Sequence, residues 1–355
     1  MIKRMNRNRA RSIGKKLSLA LGGLVLFILS LNLMKEGASD LAPLIQDHLS
    51  INNVANSLGL GWLMACLILS GSPVAVAAVA LMSANAISPA QSFTMITGSR
   101  LGASFIVLLI GFVYAIQGHE RWNAMTAGVL SLILTGSIQL LVVPLGLLML
   151  NQQWISDLSL PNFGGLVTGF NTISDPLTGP LIALLPGWAL FLAGIGLVAL
   201  SLRLVDQAIP DIQLKKTGLS QIPRLVYRPE VMFLLGLAIT LVTMSVSISI
   251  GILVPLSARG YMRRENIIPY ILGANISTLV DTLFAAALVG DPRAISVVCI
   301  HIVCGIVISL PLILLAYHPY ERAVSKALSW ITRRRRNFGI FLAIIFVVPL
   351  VFVLL

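Results

Sequence analysis

Residues 59–84 read GLGWLMACLILSGSPVAVAAVALMSA, two apolar runs of 11 residues on either side of Ser70-Gly71-Ser72-Pro73. At about 1.5 Å per residue, such a run forms a helix of roughly 16 Å, about half of a hydrocarbon core of about 30 Å. Pro73 lacks an N–H and Gly71 permits backbone conformations that other residues resist, so one straight helix is disfavoured. The pattern therefore predicts a re-entrant helical hairpin over residues 58–88, with its tip deep in a membrane.

The composition of the whole chain agrees with a membrane location. The chain is 57% hydrophobic and 11% charged, with a mean hydropathy of +0.93. These values are typical of a polytopic membrane protein. The net charge of +12 comes from basic residues at the ends of apolar runs. That distribution follows the positive-inside rule and argues against a nucleic-acid partner, although it is compatible with contacts to anionic lipid.

Seven further apolar runs are long enough to cross a bilayer. They are predicted at residues 17–34, 93–117, 123–150, 177–204, 267–289, 294–317 and 338–355, with a loop over 35–57. Starting from a basic cytoplasmic N-terminus (1–16), this order puts 22 of the 25 Lys and Arg residues on the cytoplasmic side. The sequence thus predicts a multi-pass protein of the inner (plasma) membrane.

A second interrupted apolar segment follows at residues 230–258, with the polar centre TMSVSIS at Thr243–Ser249. The two segments fall at corresponding places in two halves of the chain, which is typical of a transporter binding site. The halves also share short motifs: Gly98–Ser104 parallels Gly273–Leu279, and Leu29–Glu36 parallels Leu200–Gln207. Because the predicted copies cross the membrane in opposite directions, they constitute an inverted repeat.

The predicted fold class is therefore an all-α polytopic membrane protein. It has two inverted-topology repeats, each with a re-entrant helical hairpin, plus an additional C-terminal transmembrane helix. The predicted units are repeat 1 (17–150), an extracytoplasmic loop (151–176), repeat 2 (177–317), a basic cytoplasmic loop (318–337) and the last helix (338–355).

The segment ILGANIST at Ile271–Thr278 resembles the ILGANIGTT motif of the type II sodium-dependent phosphate cotransporters. In that family the motif follows a hairpin bearing QSSS, and both features occur twice. The family's spacing places the two QSSS positions at Leu69–Ser72 and Met244–Ser247, and the likeness covers roughly residues 17–317. It implies an alternating-access symporter whose hairpin serines hold phosphate and Na⁺. Both glutamines are replaced here, and Arg100 stands where the first motif carries asparagine.

Residues from both halves are candidates for the site. The substrate-binding candidates are Ser70, Gly71, Ser72, Arg100, Ser245, Ser247 and Asn275, and the ion-coupling candidates are Thr243, Ser249, Thr278 and Asp281. Hydroxyl and unwound N–H groups donate to oxyanions, and hydroxyl and carbonyl oxygens ligate Na⁺.

The two charged candidates have alternative roles. Arg100 either binds the substrate, pairs structurally with Asp281 or reaches to the membrane surface. Asp281 either ligates Na⁺, carries a proton or neutralises Arg100.

The expected activity is secondary transport of inorganic phosphate or a similar small oxyanion, coupled to Na⁺ or else to H⁺. No motif for catalysis, ATP or another cofactor is found, and Cys299, His301 and Cys304 point in different directions on a helix, which argues against a zinc site. The alternatives are a transport-inactive binding or regulatory protein on the same fold, an H⁺-coupled transporter of another solute, and an enzyme acting on lipid phosphates. A homodimer remains compatible with the sequence.

Overall fold

The computed structural model describes residues 2–47, 53–116, 121–151, 176–208, 228–243, 246–251, 253 and 264–355. Its helices are α1 (Ile2–Asp47), α2 (Val54–Ile68), α3 (Ser72–Ser83), α4 (Pro89–Ile116), α5 (Arg121–Asn151), α6 (176–184), α7 (Gly187–Ala208), α8 (Pro229–Thr243), α9 (Val246–Gly251), α10 (Arg264–Ser277), α11 (Val280–Val289), α12 (Pro292–Leu315), α13 (Tyr317–Arg333) and α14 (Arg335–Leu354). These ranges contain no strand, so the predicted all-helical class is confirmed for the described residues.

Seven segments within the described residues are long and apolar enough to cross a membrane. They are Gly14–Pro43, Pro89–Ile116, Met125–Asn151, Gly187–Ala208, Glu265–Val289, Pro292–Leu315 and Arg335–Leu354. Each overlaps one of the seven predicted crossing segments, so the multi-pass membrane character is confirmed at this level. Three apolar helices are shorter: α2, α3 and α8. They are the arms of the two interrupted segments.

The first interrupted segment breaks at Leu69. This residue has a left-handed backbone (φ 57°, ψ 32°) and closes α2 by donating its N–H to Ala65 O. Helix α3 then begins at Ser72, with Pro73 in its first turn. A proline is tolerated there because the first N–H groups of a helix have no partner inside the helix. The first interrupted segment therefore forms two separate helices, α2 and α3.

Glycines bring α2 and α4 into close contact. A Cβ atom on Gly61 would overlap with Met95 O, and one on Gly102 would overlap with Trp62 O and lie 2.6 Å from the Ala65 side chain. Contacts therefore advance along both helices in the same order, which makes α2 and α4 parallel.

Helix α3 runs in the opposite direction along α4. A Cβ atom on Gly71, just before α3, would lie 2.7 Å from Ser99 O, and later in α3 the carbonyl oxygen of Ala78 accepts a hydrogen bond from Ser92 Oγ (3.1 Å). Since α4 spans Pro89–Ile116, the turn between α2 and α3 lies beside the middle of α4.

The same crossing recurs in the second half. A Cβ atom on Gly98 would overlap with Leu58 O, and one on Gly273 would overlap with Phe233 O. Each residue of the second contact is 175 positions after its counterpart in the first. Helices α8 and α10 therefore cross as α2 and α4 do, through the glycines that begin the two copies of the sequence motif.

Helices α1 and α7 are antiparallel and make reciprocal contacts. A Cβ atom on Gly23 would lie 3.1 Å from Ser201 O, and one on Gly194 would lie 3.0 Å from Ser30 O. Gly194 and Ser201 are each 171 positions after Gly23 and Ser30, respectively. The two contacts between α1 and α7 are thus made by corresponding positions of the two helices.

The loop expected over residues 318–337 is instead mostly helix α13 (Tyr317–Arg333), because Val324, Leu328 and Ile331 form one buried face of that helix. Three further details of the helix boundaries differ from the sequence-based predictions. Residues 35–47, expected in a loop, continue α1, because Ala38 is fully buried and Gly37 packs against the backbone at Gly187 of α7. The expected helix over 177–204 is interrupted before Gly187 by Pro186, which lacks an N–H.

The third difference is a break in the expected helix over 267–289, between Ser277 and Val280. Here Ser277 Oγ donates to Ala274 O (3.3 Å) and Thr278 Oγ1 donates to Asn275 O (3.0 Å). Such hydroxyl bonds compete with the regular helical pattern.

The C-terminal helix α14 packs on α2. A Cβ atom on Gly59 of α2 would lie 2.6 Å from Pro349 O of α14. Asn56 Nδ2 donates to Phe352 O (3.1 Å) and Val353 O (3.2 Å), two carbonyls at the end of α14. The last carbonyls of a helix lack partners within it, so Asn56 supplies two of the missing donors.

Several predicted features lie outside the described residues. These are most of the predicted loop 151–176, residues 209–227 of the central loop, residues 244–245, and residues 254–263, which follow the second interrupted segment.

Candidate functional site

Arg100 lies at the middle of α4 and is buried, with 5% of its surface exposed. Its guanidinium donates to Thr278 O (3.4 Å) and to Thr282 Oγ1 (3.4 Å). Its Nε has no hydrogen-bond partner. The side chain thus points into the protein toward the break between α10 and α11, and does not reach a membrane surface.

Asp281 is 4% exposed and belongs to the first turn of α11. Its Oδ1 accepts hydrogen bonds from the N–H (2.5 Å) and Oγ1 (2.9 Å) of Thr282. Its Oδ2 has no hydrogen-bond partner. The carboxyl group interacts with Arg100 and with the Ser72 side chain at the start of α3. No Arg100–Asp281 ion pair within 4.0 Å is present among the described residues.

His301 of α12 is 1% exposed, and the charge of Arg100 acts on its ring. Its Nε2 is 3.2 Å from Thr97 Oγ1, and its ring centroid is 5.1 Å from that of Phe93. Its Nδ1 has no partner. The histidine thus combines tight packing with one unpaired polar atom beside the guanidinium.

Two helix interruptions lie at the same level of α4. The turn before α3 packs against Ser99 through Gly71, and the break after α10 provides the Thr278 carbonyl that accepts from Arg100. Ser99 and Arg100 are consecutive residues of α4. Backbone groups freed at such interruptions are available to ligands in transporters built from discontinuous helices.

The structure brings four predicted site residues into one group, which we call the central cluster: Ser72, Arg100, Thr278 and Asp281. Ser70 and Gly71 lie on the adjoining turn between α2 and α3.

The other predicted residues lie elsewhere. Asn275 donates from Nδ2 to Thr135 Oγ1 of α5 (3.0 Å). Ser249 Oγ accepts from Thr240 Oγ1 (2.5 Å) and lies 2.8 Å from Tyr270 Oη, and Thr243 Oγ1 donates to Thr240 O (3.4 Å). Ser245 is outside the described residues, and Ser247 is placed only by its backbone in α9.

Two residues near the central cluster were missed from the sequence. Thr282 bonds to both Arg100 and Asp281, and the carboxyl group of Asp206 in α7 interacts with Asp281. A charged residue near the end of an apolar helix is the signal that identifies Asp206, because ionisable residues in crossing helices are rare and face the protein interior. Thr282 carries no comparable signal.

A cavity of about 540 Å³ lies apart from the central cluster, where α8, α10, α12 and α13 meet. The polar residues of its lining, within the part of the chain that the structure describes, include Glu230, Glu265, Asn266, His318 and Glu321, and none of them is Lys or Arg. The described lining is thus acidic. It adjoins the helix ends that the sequence places on the cytoplasmic side.

The central cluster provides donors and acceptors for an oxyanion and oxygen atoms for Na⁺, while no group of three His, Cys, Asp or Glu residues suited to a metal ion occurs in the described ranges. Comparison of the chain with protein-family models, with curated proteins and with solved structures found no match. The likeness to the phosphate cotransporters therefore rests on the motif residues quoted above.

Proposed function

We propose that the protein is a secondary active transporter that binds inorganic phosphate, or a similar small oxyanion, at the central cluster. The observation that carries this proposal is Arg100, a buried guanidinium with an unpaired Nε, placed between two helix interruptions. A buried charge in a membrane protein is expensive and is typically retained for a ligand, an ion or a partner. Guanidinium groups match the geometry of oxyanions.

Two features of the packing support alternating access. We infer that α2–α3 is a re-entrant hairpin, since α3 reverses beside the middle of α4, and that α8–α9 begins the second one. The equal crossings at Gly98 and Gly273, and the reciprocal contacts of α1 with α7, support two inverted-topology repeats. Rocking of one repeat against the other would open the site to each side in turn.

Serines and helix ends complete the proposed oxyanion site. Helix α3 begins at Ser72, and its first N–H groups have no helical partners, so its positive end favours an anion. The hydroxyl of Ser72, which interacts with Asp281, and the hydroxyl of Ser70 on the adjoining turn would add donors to this site. These groups are supplied by different helices, so relative movement of the helices would change their spacing.

The coupling ion in this proposal is Na⁺, with H⁺ as the second candidate. The Thr278 carbonyl and hydroxyl oxygens and the Asp281 carboxylate are oxygen ligands of the type that Na⁺ accepts. H⁺ is the second candidate because an intramembrane carboxylate such as Asp281 can carry a proton in place of Na⁺.

The test is uptake of labelled phosphate into proteoliposomes with an inward Na⁺ or H⁺ gradient. We expect gradient-dependent uptake that falls at least tenfold in Arg100→Ala. The control is Arg322→Ala, which removes an exposed arginine of α13. Binding of phosphate without uptake would select the regulatory alternative. Absence of both binding and uptake would refute the proposal.

A further inference from the structure

Three buried polar atoms of the central cluster and its neighbour His301 lack hydrogen-bond partners. They are Arg100 Nε, Asp281 Oδ2 and His301 Nδ1. Leaving a buried donor or acceptor unpaired destabilises the fold, so native proteins rarely do so without a reason. Because Arg100 interacts with both Asp281 and His301, the three atoms belong to one neighbourhood. A ligand that pairs with them would remove this destabilisation.

The unpaired atoms specify the ligand by their hydrogen-bonding character. Arg100 Nε is a donor only, and an ionised Asp281 carboxylate is an acceptor only. A ligand that bridges them must therefore offer an acceptor oxygen to the guanidinium and an O–H donor to the carboxylate. Monohydrogen and dihydrogen phosphate have both groups. Sulfate at neutral pH has acceptor oxygens only, and one of these would face the carboxylate.

The charges around Asp281 strengthen this discrimination. Among the described residues, the groups that act on the Asp281 carboxylate are the guanidinium of Arg100 in α4 and the hydroxyls of Thr282 in α11 and Ser72 in α3, and the carboxylate of Asp206 in α7 interacts with it electrostatically. A single arginine thus balances the Asp281 charge among these groups. An anion that cannot donate a hydrogen bond would be repelled by Asp281 without compensation.

We propose that Asp281 determines the specificity of the site by accepting a hydrogen bond from the substrate, so that the site selects protonated oxyanions, phosphate and arsenate, over sulfate. This inference rests on the proposed oxyanion site and adds the class of anion that it admits. Sites built to bond a substrate hydroxyl discriminate strongly against analogues that lack it, since a buried group is then left unpaired.

The first test needs no variant. Purified full-length protein in a sodium chloride buffer at pH 8 is titrated with phosphate, sulfate and monofluorophosphate, and binding is followed by thermal shift. Monofluorophosphate has nearly the shape of phosphate, with fluorine in place of the hydroxyl. We expect phosphate to bind at least tenfold more tightly than either other anion. Equal binding of the three anions would overturn the inference but leave the oxyanion site standing, whereas no binding of any anion would refute the proposed function as well.

The second test is Asp281→Asn, which keeps the side-chain shape and provides an amide donor. We expect the phosphate-to-sulfate affinity ratio to fall at least tenfold, chiefly because sulfate binds more tightly. The control is Asp291→Asn, the same change at an exposed turn whose carboxylate pairs with Arg293 (2.8 Å), and its ratio should match that of the native protein. An unchanged ratio in Asp281→Asn would overturn the inference. If Asp281→Asn does not fold, the comparison of phosphate with monofluorophosphate on the native protein tests the inference.

Discussion

At the scale of single residues, the central cluster balances charge and burial. Arg100 and Asp281 are both buried and interact without a direct ion pair, each held by Thr282. Desolvation of the two charges is costly, and each one partly offsets the cost of the other. The arrangement is therefore sensitive to the loss of either charge.

This balance predicts a non-additive effect on stability. Arg100→Ala or Asp281→Ala alone should lower the free energy of unfolding by about 3 kcal/mol, because each leaves one uncompensated buried charge. The double variant should lose less than the sum of the two single variants. Thermal unfolding in detergent, without added anion, measures all three. Additive losses would show that the two charges act independently.

At the scale of elements, glycines fix how closely the helices approach. Gly98 and Gly273 each lie where a side chain would overlap with a backbone carbonyl of a neighbouring helix, α2 and α8, respectively. Small residues at helix crossings are the usual means of close packing in membranes, where no hydrophobic effect drives helices together. The two glycines also position Arg100 and Asn275, which follow them by two residues in the two copies of the motif.

Gly98→Ala and Gly273→Ala should therefore each destabilise the fold by about 1–3 kcal/mol, the usual cost of overpacking. The matched control is Gly136→Ala in α5, where an added Cβ meets nothing within 4 Å. Melting temperatures of the three variants provide the measurement. A drop in Gly136→Ala as large as in the other two would contradict the packing account.

A second prediction at this scale concerns the C-terminal helix. Asn56→Ala removes two hydrogen bonds to the end of α14 and should cost about 1–3 kcal/mol. In a chain that ends after Arg333, which lacks α14, the same substitution should have little effect, since Phe352 and Val353 are absent. The measurement compares the melting temperatures of the native chain, the Asn56→Ala variant, the shortened chain and the shortened chain with Asn56→Ala. If Asn56→Ala lowered the melting temperature equally with and without α14, Asn56 would have a role other than this contact.

At the scale of the whole molecule, the basic residues determine the predicted orientation. Residues 333–336 are four consecutive exposed arginines at the junction of α13 and α14, and positive charge of this kind is retained on the cytoplasmic side. Ser88, exposed at the turn before α4, lies on the predicted outer side.

The orientation predicts opposite labelling of two single-cysteine variants. With Cys66, Cys299 and Cys304 replaced, Ser88→Cys should react with a membrane-impermeant thiol reagent added outside intact cells. Ser329→Cys, at an exposed position of α13, should react only after the cells are opened. The reverse pattern would invert the topology, and labelling of both sites from outside would refute it.

Much of the architecture was predictable because it depends on local composition. The seven crossing helices follow from apolar length, and the break at residues 69–72 follows from a glycine and a proline between two short runs. The break after Ser277 was not predictable, because hydroxyl groups that bond to carbonyls are compatible with a continuous helix. The extension of α1 beyond residue 35 was also missed, since it depends on packing against α7.

The residues of the candidate site were likewise predictable in part. Ser72, Arg100 and Asp281 were identified as polar groups in apolar surroundings, which local sequence reveals, whereas Thr278 was identified from its place in the matched motif. Asn275, also selected, instead bonds to Thr135 on α5. Which polar residues share one neighbourhood depends on contacts between distant segments, and spacing along the chain does not specify them.

The sequence by itself determined that the protein is a multi-pass membrane protein and where an apolar segment must break, because bilayer thickness and backbone chemistry act on consecutive residues. Only the tertiary structure decided that Arg100 faces the break after α10 and that Asp281 and His301 flank it. The physical reason is that buried charges are placed by the packing of helices from different parts of the chain.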